Sequence, residues 1–139
     1  MARAFTSIHY GDVHYPFEDR RALSIFYQIV AATRPDLVAC HGDLLDCYSI
    51  SAFSKDIHHR VSLGEEIALA ISHFERINAA APKARRLFFK GNHEDRLQRE
   101  IKRMATKPEA LEILRLPSVS ESLSWPALLN LAKLGWEYH

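Results

Sequence analysis

Apolar positions divide most of the chain into three successive units, each a short apolar run followed by a longer segment with apolar residues at helical spacing. Short apolar runs bounded by turn residues predict buried strands, and the 3.6-residue period predicts amphipathic helices. The pattern predicts strands over residues 4–9, 37–40 and 85–89, and helices over 18–33, 62–80 and 94–104. Ser62 and Glu65 match a capping box at the start of the second helix. The third helix is expected to turn Leu97, Ile101 and Met104 inward.

The C-terminal part of the chain carries a weaker pattern. Helices are expected over residues 108–114 and 125–134, with a break at Pro117 and Ser118 between them. Gly135 is expected to end the last helix, and a further strand is predicted to begin at Trp136.

The order β-α-β-α-β-α predicts an α/β fold with a parallel sheet and right-handed crossovers. In such a sheet the carboxyl ends of the strands emerge at one edge, where ligands bind in open α/β folds. The three segments that follow the strands are all rich in acidic residues and histidine, and they read GDVH (11–14), HGDLLD (41–46) and GNHED (91–95). The sequence therefore predicts a polar site at this edge of the sheet.

Composition indicates one domain over residues 1–139, with 47% apolar and 25% charged residues and a formal net charge of +1. No signal peptide and no apolar run long enough for a membrane span is seen, so we expect a cytoplasmic protein without a membrane partner. The spacing of Cys40 and Cys47 favours two reduced thiols rather than a metal-binding pair.

The residue types in these segments indicate a divalent metal centre. Carboxylate oxygens, imidazole nitrogens and an amide oxygen are ligands for first-row divalent ions. Two ions about 3.5–4 Å apart can activate a bridging water and hold a phosphate for in-line attack. The candidate metal ligands are Asp12, His14, Asp43 and Asn92, and the candidate catalytic pair beside them is His93 with Asp46.

The three segments resemble the D-x-H, GD-x-x-D and GNH[DE] motifs of the calcineurin-like metallophosphoesterases through GDVH, GDLLD and GNHE. The flanking sequence is most similar to the small phage and bacterial branch of that family. The resemblance implies that Asp12 and His14 bind one ion and that Asp43 bridges to a second ion at Asn92. It also implies that His93 contacts the phosphate or protonates the leaving group, oriented by Asp46. The implied ion is Mn, with Fe, Zn, Mg and Ni as alternatives. The implied fold is the parallel half of a four-layer α-β-β-α sandwich.

The chain departs from the family pattern after residue 95. The pattern continues with a later histidine and a G-H-x-H element, and neither appears here, so the second metal site is expected to be incomplete. Three explanations stay open: a C-terminally shortened form, a naturally short protein with a degenerate site, or ligands supplied by another chain. The candidates to replace the missing ligands are His41, His58 and His59. An uncovered sheet face is also expected, which favours a homo-oligomer.

Arg96, Arg99 and Arg103 share one face of the predicted third helix. They are either a groove for phosphate or nucleic acid, with Arg96 and Arg99 binding substrate, or an ordinary solvated helix face. Two functions follow from the sequence. One is a metal-dependent phosphoesterase acting on phosphomonoesters or phosphodiesters, nucleic acid or nucleotides among them. The other is a module that binds metal, phosphate or a partner without turnover.

Overall fold

The computed structural model describes residues 4–54, 56, 58 and 60–139. Its centre is a sheet of four parallel strands in the order β1-β2-β3-β4. The strands are β1 Ser7–Tyr10, β2 Leu37–Cys40, β3 Arg85–Phe88 and β4 Glu137–Tyr138. The predicted parallel α/β architecture is confirmed, and the strand predicted near Trp136 begins one residue later.

Three helices of ten residues or more connect or follow these strands. They are α1 Arg20–Thr33, α2 Leu63–Ala80 and α3 Asp95–Met104. Four shorter helices lead to the last strand: α4 Pro108–Leu114, α5 Pro117–Ser122, α6 Trp125–Leu128 and α7 Leu131–Leu134. In the described part of the chain, none of the helices has the length and apolar character needed to cross a membrane.

The two crossover helices begin at side-chain caps. Asp19 accepts hydrogen bonds from the amides of Arg21 and Ala22 at the start of α1. The capping box predicted at α2 is present, since Ser62 and Glu65 each accept from the other's amide. These caps set where the chain leaves the loops that carry the polar residues.

The hydrophobic core lies on one face of the sheet. Side chains alternate between the two faces of a strand, so Tyr10, Val38, Cys40 and Phe88 share one side. They pack with α1 and α2 through a cluster that includes Val30, Ala70, Phe74, Ile77 and Trp136. The alternate positions, such as His9, Leu87 and Phe89, lie outside that cluster. We call the two sides the covered face and the open face.

Three details differ from the sequence-based expectations. Met104 is 36% exposed, because only the first turns of α3 pack and Leu97 is its buried residue. Pro117 begins α5 rather than interrupting the chain, since its fixed φ suits the first turn of a helix. The single helix expected over 125–134 is two helices separated at Asn130, whose φ is 52°.

Candidate metal centre at the carboxyl edge of the sheet

The loops after β1 and β2 are joined by backbone hydrogen bonds. The amide of Asp12 donates to Gly42 over 3.2 Å, and the amide of His14 donates to Asp43 over 2.9 Å. Asp46 in turn donates to the carbonyl of Tyr15 over 2.9 Å. The side chains of the two loops are therefore held in a fixed relation although they are about thirty positions apart in sequence.

The loops after β2 and β3 cross at two glycines. A Cβ on Gly42 would lie 2.3 Å from the backbone nitrogen of Gly91, and a Cβ on Gly91 would lie 2.3 Å from the backbone nitrogen of Asp43. No side chain fits at either position, and Gly42 also has φ of +90°. The close approach lets the amide of His93 donate to Asp43 Oδ1 over 2.9 Å.

Glu94 binds the backbone of both loops where they cross, a role that the sequence did not predict. Its fully buried carboxylate accepts four backbone amides at 2.8–3.1 Å, those of Asp43, Leu44, Leu45 and Gly91. Its backbone carbonyl accepts from the indole of Trp125 over 2.8 Å. The sequence signal for this role is the acidic residue of the GNHE motif. Glu94 links the loops after β2 and β3 to each other and to α6.

Asp12, His14 and Asp43 form the first group of potential metal ligands. One ligand atom from each lies within 4.8 Å of the others. All three residues are in the left-handed region, with φ of 55°, 52° and 50°. Such conformations are uncommon outside glycine and concentrate at functional sites. Two carboxylates and an imidazole, open to solvent, form a donor set that fits a divalent first-row ion.

His14, Asp46 and His93 form a second group that shares His14 with the first. Nδ1 of His14 and Nδ1 of His93 each lie 3.5 Å from Asp46 Oδ2. Nδ1 of His93 is closer to the Asp46 backbone carbonyl, at 2.9 Å. Because a carbonyl can only accept, Nδ1 carries the proton and Nε2 of His93 presents its lone pair. The residues of the predicted catalytic pair are thus adjacent, with the carbonyl as the nearer partner.

Arg96 lies inside the second group. Its guanidinium donates to the Asp46 carbonyl over 2.6 Å and to Asp46 Oδ1 over 3.2 Å. Its other terminal nitrogen lies 3.3 Å from Nε2 of His93. A cation already paired with Asp46 disfavours a second cation there, so the first group is the better metal site.

The three arginines predicted to share one face of the third helix lie in three different environments. The side chain of Arg96 is 14% exposed at the site. Arg99 is exposed and donates over 3.0 Å to the carbonyl of Asn92, in the loop that follows β3. Arg103 pairs with Glu100 on the same helix. The structure therefore brings two of these arginines to the loop that carries His93.

Two buried titratable residues near the site had not been expected there. Glu66 of α2 accepts from the amide of Cys47 over 2.6 Å, directly after Asp46, and burial raises the pKa of this carboxyl to about 7. His73 contacts the hydroxyls of Tyr10, Tyr15 and Tyr27, and burial lowers its pKa to about 3.

The candidate replacement ligands do not join either group. Among the described residues, the groups that could hold a metal include neither His41 nor His58. The amide of His58 donates to Asp56 in an exposed loop. The prediction for His59 falls outside the described residues.

Comparison with protein families matches residues 5–135 to the calcineurin-like phosphoesterases. The match covers nearly the whole chain, and the chain belongs to that family. Comparison with curated proteins and with solved structures gave no significant match.

Proposed function

We propose that the protein is a metal-dependent phosphoesterase that hydrolyses phosphomonoesters or phosphodiesters. The observation that carries the proposal is the meeting of Asp12, His14 and Asp43 at the edge of the sheet in a chain of this family. The second group places His93 and Asp46 directly beside them through the shared His14.

The proposed metal ligands are Asp12, His14, Asp43 and Asn92, with Asp43 as the bridge between two ions. Divalent ions supply Lewis-acid activation of water and of the phosphoryl group when bound. Mn is the proposed ion, with Fe, Zn, Mg and Ni as alternatives. Asn92 is exposed at the start of the third loop, next to His93.

His93 is proposed to contact the phosphate or protonate the leaving group. Its Nδ1–H is held by the Asp46 carbonyl, which leaves Nε2 to exchange the proton that the reaction needs. Arg96 is proposed to bind the phosphate from its position beside Nε2 of His93. Arg99 is proposed to bind it from its exposed position beside Asn92. Guanidinium groups suit this task because they donate two parallel hydrogen bonds to phosphate.

Replacing His93 by Ala tests the mechanism. We expect turnover of bis-p-nitrophenyl phosphate in added Mn²⁺ to fall by roughly a hundredfold or more, because the proton-transferring group is lost. Bound metal, measured by mass spectrometry, should be unchanged. The matched control is His58→Ala, an exposed histidine outside both groups. Unchanged turnover in His93→Ala would exclude the assigned role.

A binding module without turnover is the second candidate. The observation that favours it is that the Arg96 guanidinium is hydrogen-bonded to Asp46 and lies 3.3 Å from Nε2 of His93, the nitrogen that turnover would need. In that case metal or inorganic phosphate binds, but wild-type hydrolysis does not exceed that of His93→Ala. Metal content near two ions per chain together with turnover favours the enzyme.

We further propose that a second copy of the chain covers the open face. We also propose that the protein works in the cytoplasm and that nucleotides or nucleic acid are among its ester substrates. Half-buried Leu87 and Phe89 on that face support self-association. Cys40 and Cys47 are both unlinked thiols, as expected in a reducing compartment. A monomer mass by light scattering at micromolar concentration would contradict the oligomer.

A further inference from the structure

Three aromatic side chains lie in the loops that border the metal centre. They are Phe17, Tyr48 and Phe53, which we call the aromatic rim. Phe17 is 56% exposed and Phe53 is 72% exposed. A single exposed apolar side chain is ordinary, whereas exposed rings grouped beside a reaction centre indicate a surface for an apolar part of a ligand.

Contacts connect the aromatic rim to the first loop of the centre. The amide of Phe17 donates to the carbonyl of His14 over 2.7 Å. The rings of Phe17 and Tyr48 meet edge to face, with centroids 6.1 Å apart and 80° between the planes. The Tyr48 hydroxyl donates over 3.4 Å to the carbonyl of Ser54, the residue after Phe53. The rim is therefore one connected set of residues that begins at the metal ligand His14.

Phe53 connects the same rim to the group that is proposed to transfer a proton. Cζ of Arg96 lies 5.8 Å from the centroid of the Phe53 ring, within the range of a cation–π contact. The guanidinium of Arg96 also lies 3.3 Å from Nε2 of His93. Because Nε2 is proposed to give the leaving group its proton, the organic part of the leaving group lies on the side of Arg96 and Phe53.

We propose that the ring of Phe53 stacks on a nucleobase, so that the leaving group of the substrate is a nucleoside. This inference rests on the proposed function, because it names the substrate class of that same site. Proteins that bind nucleotides without sequence preference combine cationic side chains for the phosphate with exposed aromatic rings for the bases. Arg96 and Phe53 supply these two parts next to each other. No preference among the bases is expected, because every base has a π face.

The test compares AMP with ribose 5-phosphate. The two esters carry the same phosphate on the same primary alcohol and differ by the base, so their chemistry at the metal centre is matched. Calorimetry in Mn²⁺ measures Kd for the full chain, and kcat/KM replaces Kd where hydrolysis occurs. We expect AMP to be favoured roughly tenfold, which is the effect of one stacked base.

Variants of Phe53 assign that preference to its ring. Phe53→Ala should weaken AMP roughly tenfold and leave ribose 5-phosphate unchanged, whereas Phe53→Trp, which keeps a stacking surface, should keep the preference. Phe5→Ala is the matched control, because Phe5 is 73% exposed but precedes β1, at the opposite end of the sheet. It should change neither ligand.

Two results would overturn the proposal. One is wild-type protein that binds AMP no better than ribose 5-phosphate. The other is Phe53→Ala weakening both ligands equally, which would mean that the ring only positions Arg96. A preference for AMP without hydrolysis would refute the proposed enzyme and support the stacking site. Hydrolysis of both esters at equal kcat/KM would support the enzyme and refute the stacking site.

Discussion

Two consecutive phenylalanines, Phe88 and Phe89, show how differently the two faces of the sheet are built. Phe88 points to the covered face, is fully buried and contacts Phe74 and Tyr138. Phe89 points to the open face, is half-buried and stacks between His41 and His139. The covered face is a packed apolar core, whereas the open face carries a row of rings with polar edges.

The contrast follows from the order of the strands. The four parallel strands stand in sequential order, and crossovers of the usual right hand then place the connecting helices on the same side. Stability is therefore concentrated on one face, and the loops at the carboxyl edge are fixed to that face by Glu94 and Glu66. The open face is left available for another protein surface.

The largest expected effect comes from truncating the two phenylalanines in turn. Phe88→Ala should lower the free energy of unfolding by about 4 kcal/mol, because it leaves a cavity in a closed core. Phe89→Ala should cost about 1–2 kcal/mol, because a half-buried ring loses less contact. Urea unfolding of both variants measures the difference. Equal losses at a protein concentration low enough to keep the chain monomeric would contradict this difference between the faces, whereas equal losses only at higher concentration would support the proposed second copy on the open face.

A second prediction concerns the carboxyl edge of the sheet, where the loops after β2 and β3 cross. Gly91→Ala should destabilise the protein by about 3 kcal/mol, because its Cβ meets the Asp43 backbone and overpacking forces the loops apart. Metal affinity should fall in the same variant. The matched control is Gly64→Ala in α2, where the nearest described atom beyond the helix backbone is Ser62 Oγ, 3.8 Å away. There alanine should stabilise by up to about 1 kcal/mol through helix propensity, and similar behaviour of the two variants would argue against the glycine crossing.

A third effect concerns Glu66, a buried carboxyl that accepts from the amide of Cys47. Its folded-state pKa is raised from 4.5 to about 7, so the folded protein holds a proton that the unfolded chain has already released. Stability should therefore be full below about pH 4.5 and decrease as the pH rises to about 7, by about 3 kcal/mol in total. Unfolding free energies of wild type and Glu66→Gln across this range measure it. A slope of the same size in Glu66→Gln would assign the effect to other groups.

Much of the fold and part of the candidate site could be predicted from the sequence, because both depend on local patterns. The hydrophobic periods predicted the three long helices and the parallel sheet, and the Ser62 capping box was confirmed. The family was predicted from three short motifs, and the comparison confirms it. The grouping of Asp12, His14 and Asp43 follows from the rule that parallel strands end at one edge.

The sequence by itself determined the elements, the family and the edge at which polar residues gather, since each is encoded within a few neighbouring positions. Only the tertiary structure decided what Glu94, Arg96 and Glu66 do. Glu94 binds amides some fifty positions away, and Arg96 turns back onto Asp46 across a similar separation. These contacts depend on how closely the loops approach at Gly42 and Gly91, a distance set by packing between segments remote in sequence.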